Sequence, residues 1–160
     1  MIIIGIDPGL IKTGWGIIEK IDNQIKYISS GTIKTNTKLP LADRLKNIYE
    51  NVDKLLKIYK PDAFSIEITF VNNNPVSSLK LGHARGVAIL AASLNNIPVY
   101  EYSPNLIKKT VTGAGKAQKQ QMTAMIKYIF PIVKIETEDQ ADALCIAICH
   151  CNNQNCYINS

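Results

Sequence analysis

The stretch Ile2-Ile3-Ile4-Gly5-Ile6-Asp7-Pro8-Gly9 shows how the fold of this chain begins. Its residues before Asp7 are almost entirely apolar, and such a run is typical of a β-strand buried on both faces of a sheet. Pro8 and Gly9 are turn residues that end the strand. Asp7 therefore closes a buried strand, in a position where an ionised carboxylate is costly to desolvate.

The residues that follow predict a mixed sheet with helices packed on it. Residues 13–19 and 24–35 are rich in Ile, Thr and Tyr around a turn at Asp22-Asn23, which indicates two more strands in a meander. Apolar positions at helical spacing predict a helix over residues 41–59. Further patterns predict strands over residues 63–69 and 98–102, a loop over 72–75, and helices over 76–94, 103–110, 117–130 and 138–149. This order predicts an α/β fold, a five-stranded mixed sheet flanked by helices.

Basic charge is concentrated in one part of the chain. The 160 residues include 18 Lys and Arg against 13 Asp and Glu, a formal net charge of +5. Residues 102–135, here called the acid-free segment, contain no acid but have lysines at positions 108, 109, 116, 119, 127 and 134. A localised cationic surface is typical of proteins that bind a phosphate backbone. A solvated lysine-rich face is the alternative interpretation.

The composition predicts a soluble, globular protein. Hydrophobic residues make up 46% of the chain, and the sequence has no apolar run long enough to cross a bilayer. Met1 leads directly into the apolar strand, without a basic region or a cleavage site, so no secretory signal is predicted. We therefore expect a cytoplasmic protein with no membrane partner. The length predicts a single domain over residues 1–160, in which the residues after about 150 form a short tail.

Four cysteines lie close together in the sequence, at positions 145, 149, 151 and 156. Their spacing lacks the Cys-x-x-Cys pairs of a structural zinc site. Cys145 and Cys149 are at helical spacing among apolar neighbours, where cysteine behaves as a small buried hydrophobic residue. A zinc site and disulfides are the less favoured interpretations.

Four carboxylates occupy positions where apolar or packed residues are expected. Asp7 and Glu67 lie in apolar strands, while Asp139 and Asp142 share one face at the start of the last predicted helix. Three of them have an ordinary interpretation as well: Asp7 as a turn cap, Glu67 as a partner of a lysine, and Asp139 as a charge at the helix dipole. They can share one site only if cations neutralise them, because like charges repel at short distance. Oxygen ligands suit Mg²⁺ or Mn²⁺, and two such ions support phosphodiester hydrolysis.

Five short blocks occur in order between Ile3 and His150: Gly5-Ile6-Asp7-Pro8-Gly9, Thr13-Gly14-Trp15-Gly16, Ile66-Glu67, residues 79–88 (LKLGHARGVA), and residues 139–144 (DQADAL). Together they resemble the RuvC family of bacterial Holliday-junction resolvases. The resemblance implies a ribonuclease-H-like fold. It also implies a structure-selective endonuclease that makes paired symmetric cuts in four-way DNA junctions by two-metal-ion hydrolysis, in homologous recombination and DNA repair. Ile68 and His83 depart from the pattern, since many members have Gln at both positions.

The resemblance also implies functional residues and partners. It places the family's acidic tetrad, which binds metal and carries catalysis, on Asp7, Glu67, Asp139 and Asp142. It places DNA contacts on Phe70, Lys108 and Lys119, with the aromatic ring at the junction centre. It implies two Mg²⁺ ions per active site, which Mn²⁺ can replace, a homodimer, and the RuvA–RuvB branch-migration complex as a partner. We expect the predicted helix over 76–94 to form the contact between the two copies.

Three other functions stay open at this point. Asp7-x-Gly9 followed by Thr13-Gly14-x-Gly16 is also similar to the phosphate loop of actin-like kinases, but those enzymes clamp ATP between two such domains. A non-catalytic nucleic-acid-binding module would explain the lysines, but gives no reason for four buried carboxylates. Ribonuclease H proper shares the expected fold, and assays with an RNA–DNA hybrid and with a four-way junction would distinguish it.

Overall fold

The computed structural model describes residues 1–68 and 75–153. They form five strands and five helices in the order β1 (Ile2–Asp7), β2 (Lys12–Ile21), β3 (Gln24–Lys34), α1 (Leu41–Tyr59), β4 (Ala63–Glu67), α2 (Pro75–Leu94), β5 (Val99–Tyr102), α3 (Pro104–Thr112), α4 (Lys119–Ile129) and α5 (Glu138–Asn152). The predicted order is confirmed. Helix α1 has the predicted bounds, whereas α5 continues past the predicted end at Cys149. None of the helices in this part of the chain is both long and apolar enough to cross a membrane.

The sheet has the strand order β3-β2-β1-β4-β5. Strands β1, β2 and β3 form the predicted antiparallel meander. Strands β1, β4 and β5 are parallel to one another, with Ile6 paired to Ile66. Because β1 and β4 run side by side in the same direction, their last residues, Asp7 and Glu67, lie at the same end of the sheet.

Helices cover both faces of the sheet, and Asp7 and Glu67 lie on the same face. Ile4 and Ile6 belong to the buried cluster under α1 and α2. Since side chains alternate along a strand, Gly5 and Asp7 face the other layer, which consists of α3, α4 and α5. The same alternation places Glu67, which follows a residue of the α1–α2 cluster, on the α5 face.

Two glycines allow α5 to lie directly against the sheet. A Cβ atom at Gly5 would overlap the carbonyl oxygen of Ala143, and one at Gly14 would overlap that of Asp139. Both oxygens belong to the backbone of α5, which could yield only if the helix itself moved. The glycines therefore set the height of α5 above β1 and β2, and with it the positions of Asp139 and Asp142.

The start of α5 is fixed by a capping box and a contact with the sheet. The side chain of Thr137 accepts a hydrogen bond from the N–H of Gln140, whose own side chain accepts from the N–H of Thr137. The Thr137 hydroxyl lies 2.9 Å from the Thr32 hydroxyl on β3. These contacts define where the first turn of α5 begins, and Asp139 lies in that turn.

The cysteines of α5 are packing residues. Cys145, Cys149 and Cys151 are buried, and no disulfide joins them. Burial raises the pKa of the Cys145 thiol far above its ordinary value. The predicted burial of Cys145 and Cys149 is confirmed, and Cys156 lies outside the residues that the structure describes.

Candidate active site

A cleft of about 260 Å³ opens where β1 and β4 end. Asp7, Glu67 and Asp142 line it, and they come from β1, β4 and α5 respectively. The other lining residues are Lys108 and Lys119 and an apolar wall of Pro104, Ile107, Met122 and Cys145. This acidic cleft therefore brings together three of the four predicted tetrad residues and both of the predicted DNA-binding lysines.

The fourth predicted carboxylate, Asp139, lies at the edge of this site. Its side chain is half-buried and does not line the cleft. Its backbone rests on Gly14, which pairs with Asp7 across β1 and β2, and its charge raises the pKa of Asp7. Within residues 1–68 and 75–153, no three acidic, His or Cys side chains converge tightly enough to hold a metal ion. The carboxylates thus share one region without forming a closed cage of ligands.

Asp7 is the most strongly perturbed of these carboxyl groups. Burial raises the pKa of Asp7 to about 7, and the negative charges of Asp142, Glu67 and Asp139 act in the same direction. The positive charge of Lys119 opposes them and is the weakest of these influences. A buried carboxyl group surrounded by other carboxylates in a cleft is typical of a functional site.

The lysines balance only part of this negative charge. Burial raises the pKa of Asp142, although Lys119 Nζ lies 3.3 Å from its Oδ2 atom and acts in the opposite direction. Burial also raises the pKa of Glu67, with Asp142 adding to the effect and Lys108 and Lys119 opposing it. Lys119 is largely exposed, so water screens its charge, and desolvation of the carboxylates prevails.

The predicted DNA-binding residues fall into two groups. Lys108 on α3 and Lys119 at the first position of α4 both line the acidic cleft. Phe70 lies outside the residues that the structure describes. The other lysines of the acid-free segment are exposed, at positions 109, 116, 127 and 134.

Arg85 is a residue near the site to which the sequence assigned no role. Its Nε atom donates a hydrogen bond of 3.2 Å to the carbonyl oxygen of Glu67, and its Nη2 atom lies 2.8 Å from Oε2 of Glu101. One guanidinium group thereby ties α2 to the ends of β4 and β5, directly behind a carboxylate of the cleft. The signals in the sequence are its place in the block of residues 79–88 and the presence of an arginine in a helix whose buried positions are alanines.

Comparisons with known proteins identify the family. A family model described as "Crossover junction endodeoxyribonuclease RuvC" matches residues 3–150. The chain belongs to the RuvC family. A relative of that name from Brucella suis is 45% identical over 158 residues, covering 99% of this chain and 91% of its own length. RuvC of Brucella anthropi is 47% identical over 152 residues, covering 95% of this chain and 88% of its own.

Solved RuvC structures agree with this assignment. T. thermophilus RuvC in complex with a Holliday junction substrate matches with a TM-score of 0.87 and 29% identity, covering 94% of this chain and 93% of that one. Another Thermus thermophilus RuvC structure matches with a TM-score of 0.85 and 28% identity, covering 96% and 95%. The yeast mitochondrial Holliday junction resolvase Ydc2 shares the fold, with a TM-score of 0.64 at 15% identity, covering 92% of this chain and 76% of that one.

Membership of the RuvC family confirms the predicted fold and function. The ribonuclease-H-like α/β fold is that of the RuvC structures, and the enzyme is a crossover junction endodeoxyribonuclease. RuvC enzymes are metal-dependent nucleases that act on DNA. The family therefore favours a resolvase over an actin-like kinase, a non-catalytic binding module and ribonuclease H proper.

Proposed function

We propose that the acidic cleft is the active site at which this enzyme hydrolyses DNA strands of a four-way junction. The observation that carries the proposal is the convergence of Asp7, Glu67 and Asp142 on a cleft that also contains Lys108 and Lys119. The carboxylates supply anionic oxygens for cations, while the lysines supply contacts for phosphate. The similarity to a RuvC bound to a Holliday junction substrate supports the junction as the substrate.

The cofactor assigned here is Mg²⁺, two ions per active site, with Mn²⁺ able to replace it. Asp7, Glu67 and Asp142 would hold the ions, with Asp139 joining them from the edge of the cleft. The donor set fits because it consists of carboxylate oxygens, which hard divalent cations prefer. Burial raises the pKa of Asp7, and the repulsion from Asp142, Glu67 and Asp139 adds to it; this supports the assignment, since a cation would relieve the repulsion. When bound, the ions supply an activated water and stabilise the leaving oxygen.

The chain's own groups then bind and orient the DNA. Lys108 and Lys119 contact backbone phosphates beside the cleft, and Arg85 holds the carbonyl of Glu67 so that the end of β4 keeps its position. Phe70, which follows β4 in the sequence after two residues, is assigned by the RuvC resemblance to stacking at the junction centre. The backbone contacts supply most of the affinity, because they neutralise phosphate charge.

A homodimer would place two copies of the cleft for two symmetric cuts. Helix α2 is the proposed contact because it exposes a row of large apolar side chains: Val76, Leu79, Leu90 and Leu94, each more than half exposed at 62%, 64%, 53% and 61%. Gly82 and Gly86 lie in the same helix, and no atom of the described residues comes within 4 Å of where a Cβ atom would stand at either position. An exposed apolar row of this kind is typical of an interface.

The composition and the length of the chain supply two further parts of this proposal, a cytoplasmic location and a single domain over residues 1–160. The family resemblance supplies the RuvA–RuvB branch-migration complex as a partner. The enzyme would need no membrane partner.

Cleavage of a synthetic four-way junction tests the proposed site. With Mg²⁺ or Mn²⁺, we expect the wild-type enzyme to cut two opposing strands of the junction and to leave linear duplex and RNA–DNA hybrid uncut. Asp7→Asn, Glu67→Gln, Asp139→Asn and Asp142→Asn should each abolish cleavage while junction binding stays close to wild type, because the lysines are intact. Cleavage retained in any two of these variants would contradict the assignment.

A further inference from the structure

The β2–β3 hairpin carries opposite charges across its strands at one end and like charges at the other. Near the turn, Glu19 pairs directly with Lys26, whereas at the open end Lys12 pairs directly with Lys34. Opposite charges on paired strands stabilise a sheet, and like charges in the same arrangement destabilise it. An anion that bridges Lys12 and Lys34 would remove this repulsion.

The Lys12–Lys34 pair lies at the same end of the sheet as the acidic cleft. Asp7 on β1 pairs with Gly14 on β2, and Lys12 is the residue two positions before Gly14, at the first position of β2. Side chains two residues apart face the same side, so Lys12 and its partner Lys34 lie on the α5 face together with Asp7. Ordinary strand spacing and rise place the Cα atom of Lys12 about 8 Å from that of Asp7.

Both lysines have their charges available to a ligand. Their side chains are exposed, and in the part of the chain that the structure describes neither one forms a salt bridge. Helix α5 begins above the same hairpin, where Thr137 contacts Thr32. The two acids of its first turn, Glu138 and Asp139, form no salt bridge with either lysine. The pair therefore has no internal counter-ion among the described residues.

The backbone around the pair is held in place by hydrogen bonds. Arg44 of α1 donates from Nη2 to the carbonyl oxygen of Leu10 at 2.9 Å and from Nε to the hydroxyl of Thr35 at 3.1 Å. The N–H of Thr35 donates to the carbonyl oxygen of Ile11 at 3.0 Å. The segment before Lys12 and the segment after Lys34 are thus tied to each other and to a helix.

We propose that Lys12 and Lys34 bind backbone phosphates of the DNA strand next to the phosphate that is cut in the acidic cleft. This inference rests on the proposed function. In the sheet order, the hairpin strands lie on one side of β1 while β4 and β5 lie on the other, and Lys108 lines the cleft from α3, which follows β5 in the chain. Successive phosphates of a strand follow one another every ~3.4 Å along the helix axis, so a strand crossing the cleft presents phosphates to both sides. The DNA interface thereby extends beyond the acid-free segment.

The test measures binding of a labelled four-way junction over a range of salt concentrations, with a chelator present to prevent cleavage. The variants are Lys12→Ala, Lys34→Ala and the double variant, with Lys26→Ala as the matched control on the same hairpin. Each single variant should weaken binding and reduce the slope of log affinity against log salt by about one, and the double variant by about two. The melting temperature should stay the same or rise slightly in Lys34→Ala, because a repulsive pair is removed.

The control and the outcomes separate this proposal from the function on which it rests. Lys26→Ala should leave the slope of log affinity against log salt unchanged. Lys34→Arg should keep the wild-type slope, because the positive charge is retained. Wild-type slopes in both alanine variants, while the wild-type enzyme binds and cuts the junction, would overturn only the proposed phosphate contacts. Failure of the wild-type enzyme to bind the junction would overturn both proposals.

Discussion

Among single residues, Asp7 has the clearest effect on the free energy of unfolding, which it makes dependent on pH. Its carboxyl group has a pKa of about 7 in the folded chain, against 3.8 for an ordinary aspartate. The folded protein therefore binds more protons than the unfolded chain between these two values. It follows that this residue makes the free energy of unfolding fall as the pH rises from about 4 to about 7 and leaves it level above that.

We expect this dependence in the metal-free enzyme and its loss in Asp7→Asn. Chemical denaturation with a chelator present, at pH 5 and at pH 8, should find that the wild type loses about 2.5 kcal/mol more than the variant over this range. Asp22→Asn, at an exposed turn residue, is the control and should behave as wild type. An equal pH dependence in the wild type and in Asp7→Asn would contradict the burial argument.

The two lysines of the cleft should contribute to DNA binding rather than to folding. Lys108→Ala and Lys119→Ala should each reduce the slope of log affinity against log salt by about one, because each removes one phosphate contact. Lys119→Ala should also move the pH–rate profile to higher pH, since this lysine lowers the pKa of Asp142. Lys46→Ala, at an exposed position on α1, should leave both measurements unchanged. Unchanged slopes in the Lys108 and Lys119 variants would mean that this side of the cleft faces away from DNA.

Among the elements, α5 connects the core to the active site. Most of its residues after the first turn are buried, and its backbone lies on Gly5 and Gly14 of the sheet. The same helix carries Asp139 at its start and Asp142 in the cleft. A change in the distance between α5 and the sheet should therefore alter stability and catalysis together.

Gly14→Ala tests this dependence. The added methyl group overlaps the carbonyl oxygen of Asp139, so α5 must shift away from β2. We expect the free energy of unfolding to fall by about 1–3 kcal/mol, as in other overpacked cores, and junction cleavage to fall more than the loss of folded protein explains. Gly115→Ala is the control, because among residues 1–68 and 75–153 the nearest atom to its new methyl group is the carbonyl oxygen of Asn105, at 3.6 Å. Wild-type melting and cleavage in Gly14→Ala would show that the helix height is not critical.

For the whole molecule, the proposed assembly rests on the exposed apolar row of α2. Leu79→Glu and Leu90→Glu should convert a dimer into a monomer in sedimentation experiments at micromolar concentration, because two charges would be buried at a two-fold contact. Ile132→Glu is the control: this side chain is 96% exposed and lies outside α2. A wild-type chain that stays monomeric with the junction bound would rule out the dimer.

Several features of this enzyme could be predicted from the sequence because they depend on neighbouring residues. The bounds of α1 follow from apolar positions at helical spacing between Pro40 and Pro61, and these signals lie within the helix and its flanks. Asp7 and Glu67 stand out because a carboxylate in an apolar strand is costly wherever that strand lies. These two residues could be proposed as site residues before their surroundings were known.

The arrangement of the site depends on contacts between residues far apart in the chain. That Asp142 lines the cleft while Asp139 lies at its edge depends on how closely α5 approaches two glycines of the sheet. The role of Arg85 depends on the meeting of α2 with the ends of β4 and β5. The charge pair of Lys12 and Lys34 exists only in the register of β2 and β3. The order of residues along the chain shows which segments are helices or strands and which charged groups are costly to bury. The register of the strands and the distance between the sheet and its helices are set only when the core packs.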